Sequence, residues 1–126
     1  MVKREHPAVL AVASTDAFTR LVDSLPIADS ERIVGGALGS LAVAALTGLS
    51  RRASERLWIL VAGSPGEAMD LYSDLEALTG PELVAHYPQR EVLPTDHDDA
   101  HIEISGQRVE AVEALLAGRS KILVTT

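Results

Sequence analysis

The chain has no cysteine, and aromatic residues make up only 3% of its 126 residues. Without cysteine it has no disulfide and no thiol nucleophile, which fits a reducing compartment such as the cytoplasm. Basic residues are also scarce: 11 Lys and Arg face 18 Asp and Glu. The resulting net charge of −7 has the wrong sign for autonomous binding to nucleic-acid phosphates. The core must be aliphatic, which is typical of helices packed on a parallel sheet.

Residues 33–50, IVGGALGSLAVAALTGLS, lack any charged side chain. Their glycines resemble a phosphate-binding loop, G-x-x-x-x-G-K-[ST], in which amides and a lysine hold phosphates and a hydroxyl holds Mg²⁺. With Gly36 as the first glycine, the later motif positions are aliphatic: Leu41, Ala42 and Val43. Gly39 and Ser40 remain, so we expect a turn from a strand at 31–34 into a helix at about 40–49. We expect no nucleotide there.

The same uncharged run suggests one alternative, a single membrane span. About 18 apolar residues is the lower bound for such a span, and Gly35 and Gly39 form a helix-dimerisation pattern. Its glycines and hydroxyl residues and its lack of an aromatic belt argue against this. Because a buried α/β element is also apolar all round, we prefer that interpretation.

Hydrophobic periodicity predicts alternating helices and strands along the chain. Predicted helices are 8–13, 15–25, 40–49, 64–79 and 104–117; predicted strands are 31–34, 57–62, 83–86 and 121–125. This order predicts an α/β domain with a doubly wound parallel sheet. Residues 1–14 are expected to be a disordered or partly helical arm. The apolar run at 57–62 is typical of a central strand, with Trp58 buried in it.

The helix beginning after Ser64 has the clearest local signals. Ser64 and Glu67 form a capping box, and Pro65 occupies the first helical position. The spacing of Met69, Tyr72 and Leu75 predicts its buried stripe. The chain ends at Thr126 on a predicted core strand, so we expect a truncated domain.

Candidate catalytic and metal-binding residues are few. No Ser-His-Asp or Cys-His set can be assembled, and there is no G-x-S-x-G elbow. His97 and His101 lie among Asp and Glu residues, a composition that could hold zinc or manganese. We interpret this stretch as a solvated acidic loop before a helix N-terminus, and we expect no metal.

Three segments together resemble the start of the bacterial transcription-repair coupling factor: residues 36–46, 59–78 and 87–126. The last is the most specific, with an aromatic-Pro-x-Arg-Glu-x-Leu-Pro block before an amphipathic helix and an I-L-V-T-T strand. The motif residues are Tyr87, Pro88, Arg90, Glu91, Leu93, Pro94, Asp96, His101, Glu103, Ile104 and Arg108. The sequence departs from the family pattern in two places, at Thr95 and at the pair Asp99-Ala100.

The resemblance implies a P-loop (RecA-like) domain similar to the first domain of the excinuclease B protein, with a degenerate nucleotide loop. It implies a non-catalytic module, with no cofactor of its own, in a larger ATP- and Mg-dependent DNA translocase. The excinuclease A protein and RNA polymerase are then partners of the parent protein, whose motor alone binds DNA. The region described by this sequence is expected to pack on other domains of that protein. The motif residues are expected to be structural.

A nucleotide-binding domain of an excinuclease B-type or helicase-like ATPase is the alternative from the enzyme class. It would need the missing lysine. An excinuclease B protein would also need an aromatic-rich hairpin between Tyr87 and His101, where the sequence has one tyrosine and no phenylalanine.

Overall fold

A computed structural model describes residues 5–37, 39–90 and 101–126 and divides the chain into two compact units, residues 1–54 and 55–126. The first unit contains helices α1 (Pro7–Ala13), α2 (Asp16–Asp23) and α3 (Ser40–Arg52). The second contains β1 (Trp58–Val61), α4 (Pro65–Thr79), β2 (Val84–His86), α5 (His101–Leu116) and β3 (Ile122–Thr125). The predicted helices and three of the four predicted strands are therefore confirmed to within a few residues.

The first unit is a small helical assembly packed around α3. The Thr15 hydroxyl accepts a hydrogen bond from the Phe18 amide and so begins α2. Phe18 is buried, and its ring lies so close to Gly48 of α3 that a Cβ there would be 2.8 Å from ring atom Cζ. Glycine at position 48 thus permits the close approach of α2 to α3.

The predicted strand at 31–34 is wrong. These residues have no regular secondary structure, and the side chains of Ile33 and Val34 are 90% and 55% exposed. A β-strand needs a neighbouring strand to pair with its backbone N–H and C=O groups, and no strand of the described residues pairs with this segment. Its β-branched residues alone were therefore a misleading signal.

The second unit is built on a three-stranded parallel sheet in the order β1-β3-β2. Trp58 and Val84 both lie opposite Ile122 in the register. The central strand is thus β3, whose Ile122 and Val124 are almost completely buried. The prediction that β1 is central is wrong for the described sheet, in which β1 pairs with β3 alone.

The register assigns the two faces of this sheet, because paired residues of parallel strands point to the same side. On one face His86 meets α4, where its ring lies 5.6 Å from that of Tyr72. On the other face Tyr87 meets Arg108 of α5. Helices therefore cover both faces, as right-handed crossovers in this strand order require, and the second unit is an α/β fold.

Helix α4 begins and packs for identifiable reasons. The Ser64 hydroxyl accepts a hydrogen bond from the Glu67 amide at 3.2 Å, which confirms the capping box. The buried face is formed by Ala68, Leu75 and Thr79, whereas Met69 is 46% exposed. The prediction for Leu75 is therefore confirmed, Tyr72 is half-buried, and the prediction for Met69 is wrong because the neighbouring Ala68 is buried instead.

Two further predictions concern apolar surfaces. Trp58 is half-buried rather than fully buried, and its indole Nε1 is shielded from solvent without an acceptor among the described residues. The uncharged run at 33–50 is divided between an irregular segment and the 13-residue helix α3. In the described parts of the chain, no helix has the length and apolarity needed to cross a bilayer.

Candidate functional site

The glycine loop before α3 is the first candidate site. Gly36 and Gly39 have φ angles of 79° and 55°, in the region that favours glycine, and Ser40 is the first residue of α3. The loop therefore turns the chain into a helix as predicted, although no strand precedes it.

The three positions that replace the motif's functional residues differ in burial. Leu41 and Ala42 are exposed, whereas Val43 is 3% exposed and belongs to the core of the first unit. One turn later, the Thr47 hydroxyl donates a hydrogen bond to the Val43 carbonyl at 2.9 Å. The position that carries the metal-binding hydroxyl in a working loop is thus a packing position here.

The polar groups available at this loop are backbone amides and the Ser40 hydroxyl. No side chain from 33 to 50 carries charge, so the loop has no cation of its own to offset the charge of a triphosphate. The partial positive charge at the start of α3 would remain as the only attraction for an anion. The geometry of the loop is that of a turn into a helix.

The family-motif residues form a second candidate site, centred on Arg108 of α5. Its guanidinium donates a hydrogen bond to the Pro88 carbonyl at 2.8 Å and another to the Tyr87 hydroxyl at 2.5 Å. The guanidinium carbon also lies 3.9 Å from the centre of the Tyr87 ring, a cation–π contact. Arg108 is thus joined to the adjacent residues Tyr87 and Pro88, about twenty positions earlier in the chain, in a cluster that we call the Arg108 clasp.

The clasp borders a shallow groove of about 370 Å³. Arg90, Ser105 and Glu113 also line it, beside Val109 and Val112 of α5. Because Arg108 is already engaged by Tyr87 and Pro88, its main role is to fix the chain after β2 against α5. The structural role of the motif stays a prediction.

Three of the remaining motif residues lie on α5: His101, Glu103 and Ile104. Glu103 is exposed on α5, and His101 is the first residue of that helix. Glu91, Pro94 and Asp96 lie outside the described residues, as does His97 of the weighed metal site. Within the portions of the chain that the structure describes, no three His, Asp or Glu side chains are grouped to hold a metal ion.

A third site was missed from the sequence: an open groove of about 680 Å³ beside β2. Tyr72 of α4, His86 of β2 and Glu110 of α5 line it. The Tyr72 hydroxyl donates a hydrogen bond to Glu76 at 3.2 Å. The groove depends on which strand lies at the sheet edge, and no single-residue pattern reveals that order.

Two titrating groups in this groove are perturbed. Burial raises the pKa of the Tyr72 hydroxyl, and the carboxylates of Glu76 and Glu110 raise it further. Burial lowers the pKa of His86 below its ordinary value, so this imidazole is neutral near pH 7. The groove therefore has two carboxylates, Glu82 and Glu110, one cation, Arg119, and a neutral histidine in its wall.

Comparison with known proteins identifies no relative: no family model, curated protein or solved structure matches this chain. The class defined by its own geometry is an α/β protein with helices on both faces of a small parallel sheet.

Proposed function

We propose that this chain is a non-catalytic module from the N-terminal region of a transcription-repair coupling factor. In this proposal it is a cytoplasmic P-loop-type α/β domain whose nucleotide loop has lost its chemistry. It contributes to recruitment of nucleotide excision repair proteins and restrains the DNA translocase motor. ATP, Mg²⁺ and DNA are handled by that motor, and the excinuclease A protein and RNA polymerase act through the parent protein.

The glycine loop is the observation that supports a non-catalytic role most strongly. Ala42 stands where a lysine would reach the phosphates, and Val43 is used for packing instead of metal binding. The Arg108 clasp supports a structural role for the motif, because its members bind each other rather than leaving polar groups directed at a ligand.

Nucleotide binding by the chain tests this proposal directly. We expect its melting temperature to be unchanged by millimolar Mg-ATP, because the proposal has no nucleotide bound at the loop. Binding would be easy to detect, since a ligand at 100 times its Kd adds about 2.7 kcal/mol to the free energy of unfolding. A clear rise in melting temperature would instead favour the nucleotide-binding ATPase.

Restoring the motif gives a second test. We expect the triple variant Leu41→Gly, Ala42→Lys, Val43→Thr to show little ATPase activity, because a complete motor needs acidic and arginine residues from other segments. The control is the double variant Leu41→Gly, Ala42→Lys, which keeps Val43 and so lacks the metal-binding hydroxyl. Thermal melts of both variants are compared as well, because a threonine at the buried position 43 also weakens packing. Turnover by the triple variant above that of the double variant would contradict the proposal.

Restraint of the motor is tested in the parent translocase. We expect deletion of residues 1–126 to raise its basal ATPase rate. An unchanged rate and unchanged recruitment of the excinuclease A protein would both count against the module's proposed role.

A further inference from the structure

The outer edge of β2 has backbone groups that the sheet does not use. The Tyr87 amide donates to the Val124 carbonyl at 2.8 Å, and the Leu83 carbonyl accepts from the Lys121 amide at 2.9 Å. Residues 83 and 87 thus face β3. Because alternate residues of a strand direct their backbone groups to opposite edges, the N–H and C=O groups of Val84 and His86 face away from β3. No strand of the described residues pairs with this edge.

The open groove of about 680 Å³ runs along this edge, with walls from both helices. Met69 and Tyr72 of α4 form one wall, and Gln107, Glu110 and Ala114 of α5 form the other. A strand laid beside β2 would therefore have backbone partners along its length and apolar and polar side chains on both sides. This is the geometry of peptide recognition by strand addition.

The charged side chains of the groove favour a basic strand over an acidic one beside β2. Glu82 and Glu110 line it, and Glu76 lies close enough to raise the pKa of the Tyr72 hydroxyl together with Glu110. Neither Glu82 nor Glu110 forms an ion pair within the described parts of the chain, and Arg119 is the lining residue that opposes them. A second copy of a chain with net charge −7 would be repelled here, whereas Lys or Arg side chains would be attracted.

We propose that the outer edge of β2 is a docking site for an extended, basic peptide segment of a partner protein. The segment adds as a fourth strand through Val84 and His86, and its cationic side chains lie against Glu82 and Glu110. The site belongs to the second unit, whereas the glycine loop belongs to the first, and its argument does not depend on the family resemblance. The two proposals can therefore fail separately.

The backbone part of this proposal is tested by NMR on the ¹⁵N-labelled 126-residue chain. The probe is the blocked heptapeptide KVKVKVK; the comparison peptides are EVEVEVE and KVKPKVK. With saturating KVKVKVK we expect the amide signals of Val84 and His86 to move and their hydrogen exchange to slow about tenfold or more, as new hydrogen bonds require. The Ala85 amide faces β3 and is the internal control, whose exchange should change little.

The charge part is tested by substitution. We expect the double variant Glu82→Lys, Glu110→Lys to bind KVKVKVK at least about fivefold more weakly, because two exposed attractions become repulsions. The double variant Asp70→Lys, Asp74→Lys changes the net charge equally on exposed positions of α4 that do not line the groove. It should bind within about twofold of the unchanged chain. Thermal melts confirm that both variants are folded.

Several results would overturn the proposal. Equal binding of EVEVEVE, or equal weakening by the two double variants, would remove the role of the groove's charges. Peptide binding that leaves the Val84 and His86 amides unmoved would remove strand addition. Concentration-dependent shifts of the same two amides without peptide would show that a second copy of the chain occupies the edge instead.

Discussion

Two glycine-containing loops lead into helices in this chain, and the two helices begin in different ways. At the start of α4, Ser64 accepts from the Glu67 amide, and the Glu67 carboxylate accepts from the Gly63 amide at 2.8 Å. At the start of α3, the N-cap is Gly39, which has no side chain and adopts φ 55° and ψ −134°. The first start is fixed by side-chain acceptors and the second by a backbone conformation.

The difference shows why glycine-rich loops are ambiguous evidence of function. At α4 the Glu67 carboxylate accepts the hydrogen bond of the Gly63 amide, which is then not available to an anionic ligand. At α3 the turn survives without any charged side chain, so its glycines are explained by the backbone conformation alone. A nucleotide loop of the G-x-x-x-x-G-K-[ST] type has the lysine as well as the turn, and this loop has the turn with Ala42 at the lysine position.

The largest expected effect comes from truncating a buried side chain of α4, because packing stabilises this helix more than its N-terminal cap does. Leu75 has no exposed surface, so we expect Leu75→Ala to lower the free energy of unfolding by about 2–5 kcal/mol. Trp58 is the only tryptophan and lies in the same unit, so its fluorescence during urea unfolding measures this. Leu116→Ala is the control: Leu116 is 83% exposed, and a comparable loss there would contradict the assigned core.

The backbone-determined start of α3 predicts the next effect. Gly39→Ala places a Cβ on a conformation that L-residues rarely adopt, so we expect a loss of about 1–3 kcal/mol. Gly66→Ala in α4 is the matched control, because its φ is not positive and a Cβ there meets no atom within 4 Å. The control should be stabilised by up to about 1 kcal/mol. Urea unfolding followed by circular dichroism compares the two, and equal effects would remove the distinction between the loops.

A smaller effect is expected at the side-chain-determined start. Ser64→Ala removes the acceptor for the Glu67 amide and should cost about 1 kcal/mol, whereas Ser64→Gly should cost only about a few tenths of a kcal/mol. Ser64→Ala and Ser64→Gly are compared by urea unfolding monitored through Trp58. If neither variant is less stable than the unchanged chain, the capping box does not stabilise α4.

Local signals account for what the sequence predicted well. The Ser64 cap, the apolar runs of β1 and β3 and the periodicity of α5 each depend on neighbouring residues, and the structure has the corresponding elements. The motif positions Tyr87 and Arg108 were also identified from the sequence, although their direct contact across 21 positions was not.

The buried face of α4 is a local error, since Ala68 is buried there and Met69 is not, but the errors in the strands concern long-range pairing. The segment 31–34 has strand-forming residues and no partner strand, and β1 has a central-strand composition but lies at an edge of the described sheet. The groove at β2 follows from the same strand order. Strand order is set by crossovers between distant segments, so the composition of one segment cannot predict it.

The smallest predicted effect is a change in how the free energy of unfolding depends on pH, caused by His86 in the groove of the second unit. Burial lowers the pKa of His86 in the folded protein, so as the pH falls below its ordinary value of 6.5 the unfolded chain takes up this proton first. The free energy of unfolding therefore falls with decreasing pH there, until the folded-state pKa is passed. His86→Gln removes this contribution and keeps every carboxylate. Urea unfolding from about pH 7.5 to about pH 5.5 should then show a shallower decline for the variant than for the unchanged chain. Parallel pH profiles would show that His86 is as solvated in the folded protein as in the unfolded chain.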